Sequence, residues 1–311
     1  MEERILVIGD LNVDLIVNGL TALPSLGREI LASDLRLALG GSSAICAAGL
    51  ARLGAKVDFL GKVGGDDYGE FVTDQLRLLG VGTAHVIHDS AVRTGVTISL
   101  TYPEERALIT YLGCIPHLRL EEINISIMRR YRHLHVGSYF LQEGLQAGLP
   151  ELFHQAHLQG PTISLDTGYD PDEVWGDDDL LTLLDSVDIF LPNEDEARSI
   201  ARVDNTEKAL RKLAKRARLV VVKCGASGAI SLRDGQIVHS PAFQVDVVDT
   251  TGAGDSFNAG FIYAHVIQGL PLEEALRFAN GCGALSTTGL GGTTAQPTLE
   301  QVVAFLEEQT E

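Results

Sequence analysis

Arg4–Gly9 reads RILVIG, apolar at almost every position rather than at every second one. A strand of that kind has no face to show to water, so it must be covered on both sides. His133–Phe140, Thr162–Leu165, Val187–Leu191 and Leu219–Lys223 repeat the texture. Helical periods separate these runs, at about Ser42–Leu53, Asp67–Leu79, Leu145–Gln159 and Thr206–Lys215. Gly54 and Gly80 stand where a helix C-cap needs positive φ. The alternation predicts an α/β fold with a mostly parallel central sheet and helices on both faces. The last third turns helical, at about Ala253–Gln268, Pro271–Ser286 and Leu299–Glu308, with Pro271 expected at N1.

One region has a different period. Val96, Ile98, Leu100 and Tyr102 alternate with Thr97, Ser99 and Thr101, Pro103–Arg106 makes a turn, and Ala107–Leu112 returns. That is a hairpin with one apolar and one polar face. Ile30–Leu39 has a similar mixed character. These segments predict a small β-sheet lid, inserted at about 12–39 and 94–113, over the C-terminal edge of the main sheet. Neither a repeat nor a linker interrupts residues 1–311, which read as a single α/β domain.

Charge narrows the function. With 42 acidic and 24 basic residues the net charge is −18. A nucleic-acid binder carries a basic footprint. The densest basic stretch here, Arg211, Lys212, Lys215, Arg216 and Arg218, has the spacing of a solvated helix face. An acidic protein that takes an anionic substrate needs a divalent metal to receive it. No apolar run approaches the roughly 20 residues of a membrane helix, and Met1–Arg4 lacks the basic start of a secretory signal. Cys46, Cys114, Cys224 and Cys282 form no CxxC and read as reduced thiols, so a cytoplasmic protein is expected. The P-loop and the GxGxxG dinucleotide fingerprint are both missing. Gly225–Ala229 departs from a nucleophile elbow at its last residue. His133/His135 and His154/His157 lack a clustered third metal ligand.

The chemistry concentrates in Val248–Gly260 (VDTTGAGDSFNAG). It follows a predicted strand, Gln244–Val248, and opens a helix. Gly252-Ala253-Gly254 lets backbone amides turn toward a ligand at a helix N-terminus, where unpaired N–H groups and the dipole favour an anion. Asp255 stands beside that place in the first turn. A carboxylate next to an anion hole is what phosphoryl transfer to an alcohol requires, the amides holding charge and the carboxylate taking the proton. By spacing alone, Asp255 could equally be a helix-capping acid. Asn12 and Asp14, two apart in an extended segment, share a face suited to sugar hydroxyls, or form an Asx-turn.

Asp249–Phe257 (DTTGAGDSF) resembles the C-terminal signature of the ribokinase-like PfkB carbohydrate kinases. Other family landmarks fall in order along the chain: Gly40-Gly41 before a helix, Gly61–Gly69 (GKVGGDDYG), Asn193-Glu194-Asp195-Glu196, Lys223–Gly228 (KCGASG), and Ala279-Asn280 with Ala284–Gly292. The resemblance implies a ribokinase-like α/β kinase with a β lid. It would move the γ-phosphate of ATP to a hydroxymethyl group of a sugar. By it, Asp255 is the general base and the amides of Gly252, Ala253, Gly254 and Asp255 form the anion hole. Asn193 and Glu196 would organise Mg²⁺ through water, and Lys223, Gly225, Gly228 and Asn280 would line the ATP site. Asp249 and the Thr251 carbonyl would hold a monovalent cation, K⁺, and Asn12, Asp14, Gly40 and Gly41 would meet the sugar. A homodimer through the lid is a further implication, since its exposed edges and apolar face want cover.

Two departures bear on the acceptor. Ile45 stands where ribokinase-like members carry an Asn, and Asp166–Asp170 (DTGYD) lacks the Arg of a D-x-N-x-R segment. The lost hydrogen bond leaves ribose and fructose unassigned. The missing guanidinium argues against a sugar acid. A nucleoside kinase of the same fold is the alternative.

Overall fold

A computed structural model describes residues 3–102, 106–176 and 178–309. In chain order its strands are β1 (Arg4–Ile8), β2 (Asn12–Asn18), β3 (Asp34–Gly40), β4 (Lys56–Gly64), β5 (Gly82–Asp89), β6 (Gly95–Thr101), β7 (Arg106–Tyr111), β8 (His133–Val136), β9 (Thr162–Leu165), β10 (Ile189–Phe190), β11 (Leu219–Lys223), β12 (Ala229–Arg233) and β13 (Gln236–Ser240). The main sheet has nine strands in the order β13-β12-β11-β10-β9-β8-β1-β4-β5. It is parallel from β11 to β5, and β12 and β13 join antiparallel at one edge.

Two-sided burial explains the continuous apolar runs. Along β1, Ile5 and Val7 enter one hydrophobic core with helices Ser42–Arg52, Ala253–Phe261 and Leu272–Ser286. Leu6 and Ile8 enter a second core with helices Leu149–Gln159, Glu194–Ala201 and Thr206–Leu213. Helices on both faces leave the strand ends as the exposed openings of the sheet, and in such folds ligands bind beyond the C-terminal ends.

The lid is a second sheet in the order β3-β2-β6-β7. Its register places Asp14, Thr97 and Thr110 on one face, and Val13, Ile98 and Ile109 on the other. The polar face turns inward, toward a cavity. Outward-facing Leu35, Leu37, Ile109 and Tyr111 are exposed, all but Leu37 by more than half.

Some elements differ from the sequence expectation. Gln244–Val248 is irregular rather than a strand: the Val248 amide donates to the Thr287 carbonyl at 2.8 Å, which ties the segment to the end of helix Leu272–Ser286 rather than to a sheet edge. The strand expected over His133–Phe140 ends at Val136, where Ser138 turns left-handed (φ 52°). The helix expected over Leu145–Gln159 breaks at Gly148 into two pieces. Of Val187–Leu191, Ile189–Phe190 alone forms strand β10. The strand expected over Ile30–Leu39 is Asp34–Gly40, and Pro271 is the N-cap of its helix rather than N1. Residues 103–105 of the lid turn lie outside the described residues. Among the described residues, no helix is long and apolar enough to cross a membrane.

Helix Ser42–Arg52 starts at Gly41, which brings no side chain to cap it. Asp10, just past β1, supplies the cap from a distance: its carboxylate accepts from the amides of Ser42 and Ser43, both at 2.9 Å. Asp10→Ala is expected to cost about 1–2 kcal/mol, the worth of a strong N-cap, with Asp10→Asn retaining part of it. Urea denaturation of the two variants measures this.

Candidate active site

Three chain crossings meet at the C-terminal ends of the central strands. The first is the segment that leaves β1 and enters the lid. Asn12 and Asp14 point the same way from β2, with Asn12 Nδ2 donating to Asp14 Oδ1 at 3.1 Å and to Thr97 Oγ1 at 3.2 Å. Gly40 and Gly41 lie against them. A Cβ on Gly40 would stand 2.1 Å from Asp14 Oδ1, and Gly41 holds φ 95° with its missing Cβ 2.6 Å from the Asp10 carbonyl. Side chains larger than hydrogen are excluded at both.

The second crossing is the turn before helix Ala253–Phe261, capped by Gly252 in the left-handed region. The first-turn amides of Gly254 and Asp255 have no intrahelical carbonyl to bond. The Ala253 amide, expected in the same hole, donates instead to the Thr250 carbonyl at 3.2 Å. Ser42 Oγ donates to Asp255 Oδ1 at 2.5 Å. Withdrawal from water pushes the Asp255 carboxyl up to about 7, and nearby Asp166 and Asp10 add to the rise, against the Ser42 hydroxyl and the Lys223 charge.

The third crossing is the end of β11. Lys223 Nζ lies 2.6 Å from Asp166 Oδ2, at the end of β9. Asn258 Nδ2 donates to the same Asp166 oxygen, and the Gly168 amide donates to the other at 2.8 Å. Burial alone would raise the Asp166 carboxyl and lower the Lys223 ammonium. Burial is the largest single influence on each, but their mutual attraction and hydrogen bond, with the Gly168 and Asn258 bonds on the acid and the Glu196 and Asp255 charges on the base, together outweigh it and hold the acid below and the base above their ordinary values. Glu196, at the start of helix Glu194–Ala201, shares a reciprocal cap with Asn193, whose amide N–H and side chain both donate to its carboxylate (2.8 and 2.6 Å). Burial pushes Glu196 up to about 7, with the Asp166 charge adding to it.

Two cavities adjoin here. One, of about 220 Å³, is lined by Asp10, Asn12, Asp14, Gly41, Ser42 and Asp255, with Thr97, Ser99 and Thr110 from the lid. Ile16, Ile45, Leu108, Ile115 and Leu141 make its apolar wall. The other, of about 320 Å³, is lined by Lys223, Gly225, Gly228, Ala253, Gly254 and Asn280, with Phe243, Val245, Val247 and Phe257 around them. Gly252–Asp255 therefore forms the partition: Gly252 and Asp255 face the first cavity, Ala253 and Gly254 the second. Asn280 Nδ2 donates to the carbonyls of Ser240 (2.9 Å) and Pro241 (3.1 Å), holding the segment that walls the second cavity. Gly228 (φ 93°) packs beneath that segment, with no room for a Cβ, which would stand 2.1 Å from the Ser240 carbonyl oxygen.

Asp249 lies behind the partition. One of its oxygens accepts from the Thr251 amide and hydroxyl (2.9 and 2.7 Å), the other from the Gly291 amide (2.8 Å). It thus ties the signature turn to the Gly/Thr-rich loop. Asn193, Glu196, Gly40 and Asp249 do not line either cavity.

Asp166, Asn258, Ser42 and the apolar wall are additions that sequence reasoning did not assign. Asp166 carried one signal: an acid followed by Thr-Gly at the end of a buried parallel strand, where such folds place ligand groups. His133 and His135 share Ser164 Oγ at 2.7 Å each. Burial lowers them to about 3 and about 4, so they are neutral core residues.

A two-cavity cleft divided by a glycine-opened helix N-terminus, on this α/β scaffold with its β lid, is the architecture of a ribokinase-like phosphotransferase. Residues 2–299 match the family model described as pfkB family carbohydrate kinase. An ATP-dependent ribose-1-phosphate kinase of Halopiger xanaduensis is 34% identical over 308 residues, covering 98% of this chain and 99% of its own. An Arabidopsis thaliana ribokinase solved with ribose and ATP superposes with a TM-score of 0.84 at 26% identity, covering 99% of each chain. An E. coli protein solved with ATP and Mg²⁺, provisionally a ribokinase II, has the same fold (TM-score 0.88, 22% identity, 98% of this chain and 99% of its own). The chain belongs to the PfkB carbohydrate kinase family and is an ATP-dependent sugar kinase.

The raised carboxyls make stability depend on pH. Asp255 and Glu196 bind protons more tightly folded than unfolded, so their contribution is full below pH 4 and is lost as pH rises through about 7. The ligand-free melting temperature is expected to fall between pH 5 and pH 8, and Asp255→Asn to flatten that fall. Differential scanning calorimetry across the range, on both proteins, checks it.

Proposed function

We propose that this kinase phosphorylates a hydroxymethyl group of an uncharged sugar held in the lid-side cavity, with Asp255 as general base. The observation that carries the reading is the placement of Asp255, which faces the lid-side cavity one residue beyond Gly254, which faces the other. The acceptor hydroxyl attacks the γ-phosphorus in line, its proton passes to Asp255, and the β–γ bridging oxygen leaves with ADP. The Gly252–Asp255 turn holds the phosphoryl charge through its free amides. A carboxyl poised near neutrality suits this role.

Asn12 and Asp14, with Thr97, Ser99 and Thr110, would bind the sugar hydroxyls, and Gly40 and Gly41 would let the sugar approach the backbone. The ATP side falls to Lys223, Gly225, Gly228 and Asn280 around the second cavity. Glu196 with Asn193 would hold Mg²⁺ through water. The donor set fits at one remove, through water: Glu196 brings a carboxylate suited to a hard cation, and the backbone of its partner Asn193 pairs with Lys223 of the second cavity. When bound, Mg²⁺ supplies charge neutralisation on the phosphates. K⁺ would sit by Asp249 and the Thr251 carbonyl, where a carboxylate already joins two loops.

Among the described residues lining the lid-side cavity there is no Lys or Arg. Lys62 is committed to Glu122 at 2.6 Å, and Arg93 is exposed. That supports an uncharged acceptor over a sugar phosphate, although a curated relative is named for ribose 1-phosphate. The apolar wall supports a nucleoside as second reading. The outward apolar face of the lid supports a homodimer with a second copy of this chain, which sedimentation would detect.

ADP release with Mg-ATP against ribose, fructose, ribose 1-phosphate and nucleosides tests the assignment. Turnover is expected on a neutral sugar, with Asp255→Asn lowering kcat by about 10²–10⁴-fold and leaving ATP affinity intact. Near-normal kcat in that variant removes Asp255 from the mechanism, and turnover on ribose 1-phosphate or nucleosides alone replaces the acceptor. A second expectation is that kcat/KM rises with pH through about 7, and that this limb is missing from the residual activity of Asp255→Asn.

A further inference from the structure

We propose that Lys223 contacts the transferring phosphoryl group directly, and that Asp166 is the positioning residue that keeps its ammonium at the anion hole. The proposal deepens the kinase reading above and rests on it. Lys223 ends β11 with its side chain only 12% exposed, and what it shows opens into the second cavity. Its Nζ lies 3.7 Å from where a Cβ on Gly254 would stand. The ammonium therefore sits over the first turn of helix Ala253–Phe261, beside amides that have no carbonyl to bond. A cation and free N–H groups converge on one place, at the partition between the cavities. That is where charge moves when a phosphoryl group passes from one to the other.

Asp166 lies on the far side of the ammonium. It lines neither cavity and is buried. Its carboxylate takes hydrogen bonds from Lys223, Asn258 and Gly168, so it stays ionised and fixed. A buried ion pair is weak evidence of stabilisation, because well-packed apolar residues do as well. Its position argues for another use. In the ligand-free cleft Asp166 balances the lysine. When phosphate oxygens arrive, the cation is already in place and nothing has to reorganise. Lysine suits this: its compact ammonium carries three donors and can touch Asp166 and a phosphate oxygen at once, where the bulkier guanidinium does not fit the same buried place. Lys223 changes no bond: the phosphoryl leaves the β-phosphate oxygen for the acceptor oxygen, and the proton goes to Asp255. The competing role is a structural clamp. The pair also spans β9 and β11 past the short β10, where the Lys223 amide donates to the Pro192 carbonyl at 2.9 Å.

Binding of AMP-PNP and of ADP, both with Mg²⁺, separates the two roles, because a γ-phosphate contact affects the first ligand alone. Calorimetric titration and kcat on the best acceptor are measured for the full chain, Lys223→Met, Lys223→Arg, Asp166→Asn and the double variant. Lys223→Met is expected to weaken AMP-PNP about tenfold or more, to leave ADP within about twofold, and to lower kcat about 10²-fold. Lys223→Arg should not restore kcat. Asp166→Asn should move the same quantities by less, and the double variant should be no worse than Lys223→Met, as expected when one residue acts through the other. Should Lys223→Met fail to fold with Asp166 left unpaired, the double variant, with both charges gone, carries the same readouts. Equal losses for AMP-PNP and ADP, a lower melting temperature with kcat retained, or additive losses in the double variant would each overturn the proposal. If the wild type phosphorylates no acceptor, the kinase reading fails separately, and the AMP-PNP to ADP comparison still decides where Lys223 points.

Discussion

Burial of both faces of the central sheet is the constraint on which the rest of this structure depends. Ile5 and Val7 belong to one core and Leu6 and Ile8 to the other, so the middle of the sheet has no access to solvent. Polar chemistry is forced to the strand ends. There the chain leaves β1 through Asp10 to Asp14, leaves β9 at Asp166, leaves β11 at Lys223, and begins helix Ala253–Phe261 at Gly252. Segments separated by more than 200 residues meet because each follows, or packs against, the same buried sheet.

That crowding has an electrostatic consequence. Asp166, Glu196 and Asp255 all act on the ammonium of Lys223, and Asp10 adds its charge beside Asp255. The charges do not all persist. Asp166, bonded directly to the lysine, stays ionised, whereas Asp255 and Glu196 are driven up to about 7. An excess of buried negative charge is unfavourable by itself and is relieved by a proton or a cation. The net charge of −18 makes the same demand of the whole molecule: an anionic nucleotide must meet local cations and amides rather than a general field.

The lid shows how one alternating pattern serves two purposes. Asp14, Thr97 and Thr110 face the cavity, so the polar side of the hairpin is its inner side. Ile109, Tyr111, Leu35 and Leu37 are left outward. The alternation itself was legible in Val96–Tyr102. Which face turned inward was not, because a two-sided ribbon offers either one until it is anchored, here through β2 and helix Asp67–Leu78. The expected strand Gln244–Val248 failed for a tertiary reason too: its composition suits a strand, but its end is bonded to Thr287 at the end of another helix.

The sequence by itself determined the strand–helix alternation, the parallel sheet, the lid and the signature turn at Gly252–Asp255. Each is a local matter of periodicity, capping or glycine placement, and short-range physics settles it. It also marked Asn12, Asp14, Lys223 and Asn280, since their motifs are contiguous. Tertiary structure alone decided that Gly252–Asp255 divides two cavities, that Ser42 bonds Asp255, and that Asp166 takes bonds from both Lys223 and Asn258. Those contacts join residues 57 to 213 positions apart. No local pattern encodes such a pairing, because it exists only once the two cores have fixed where each strand ends.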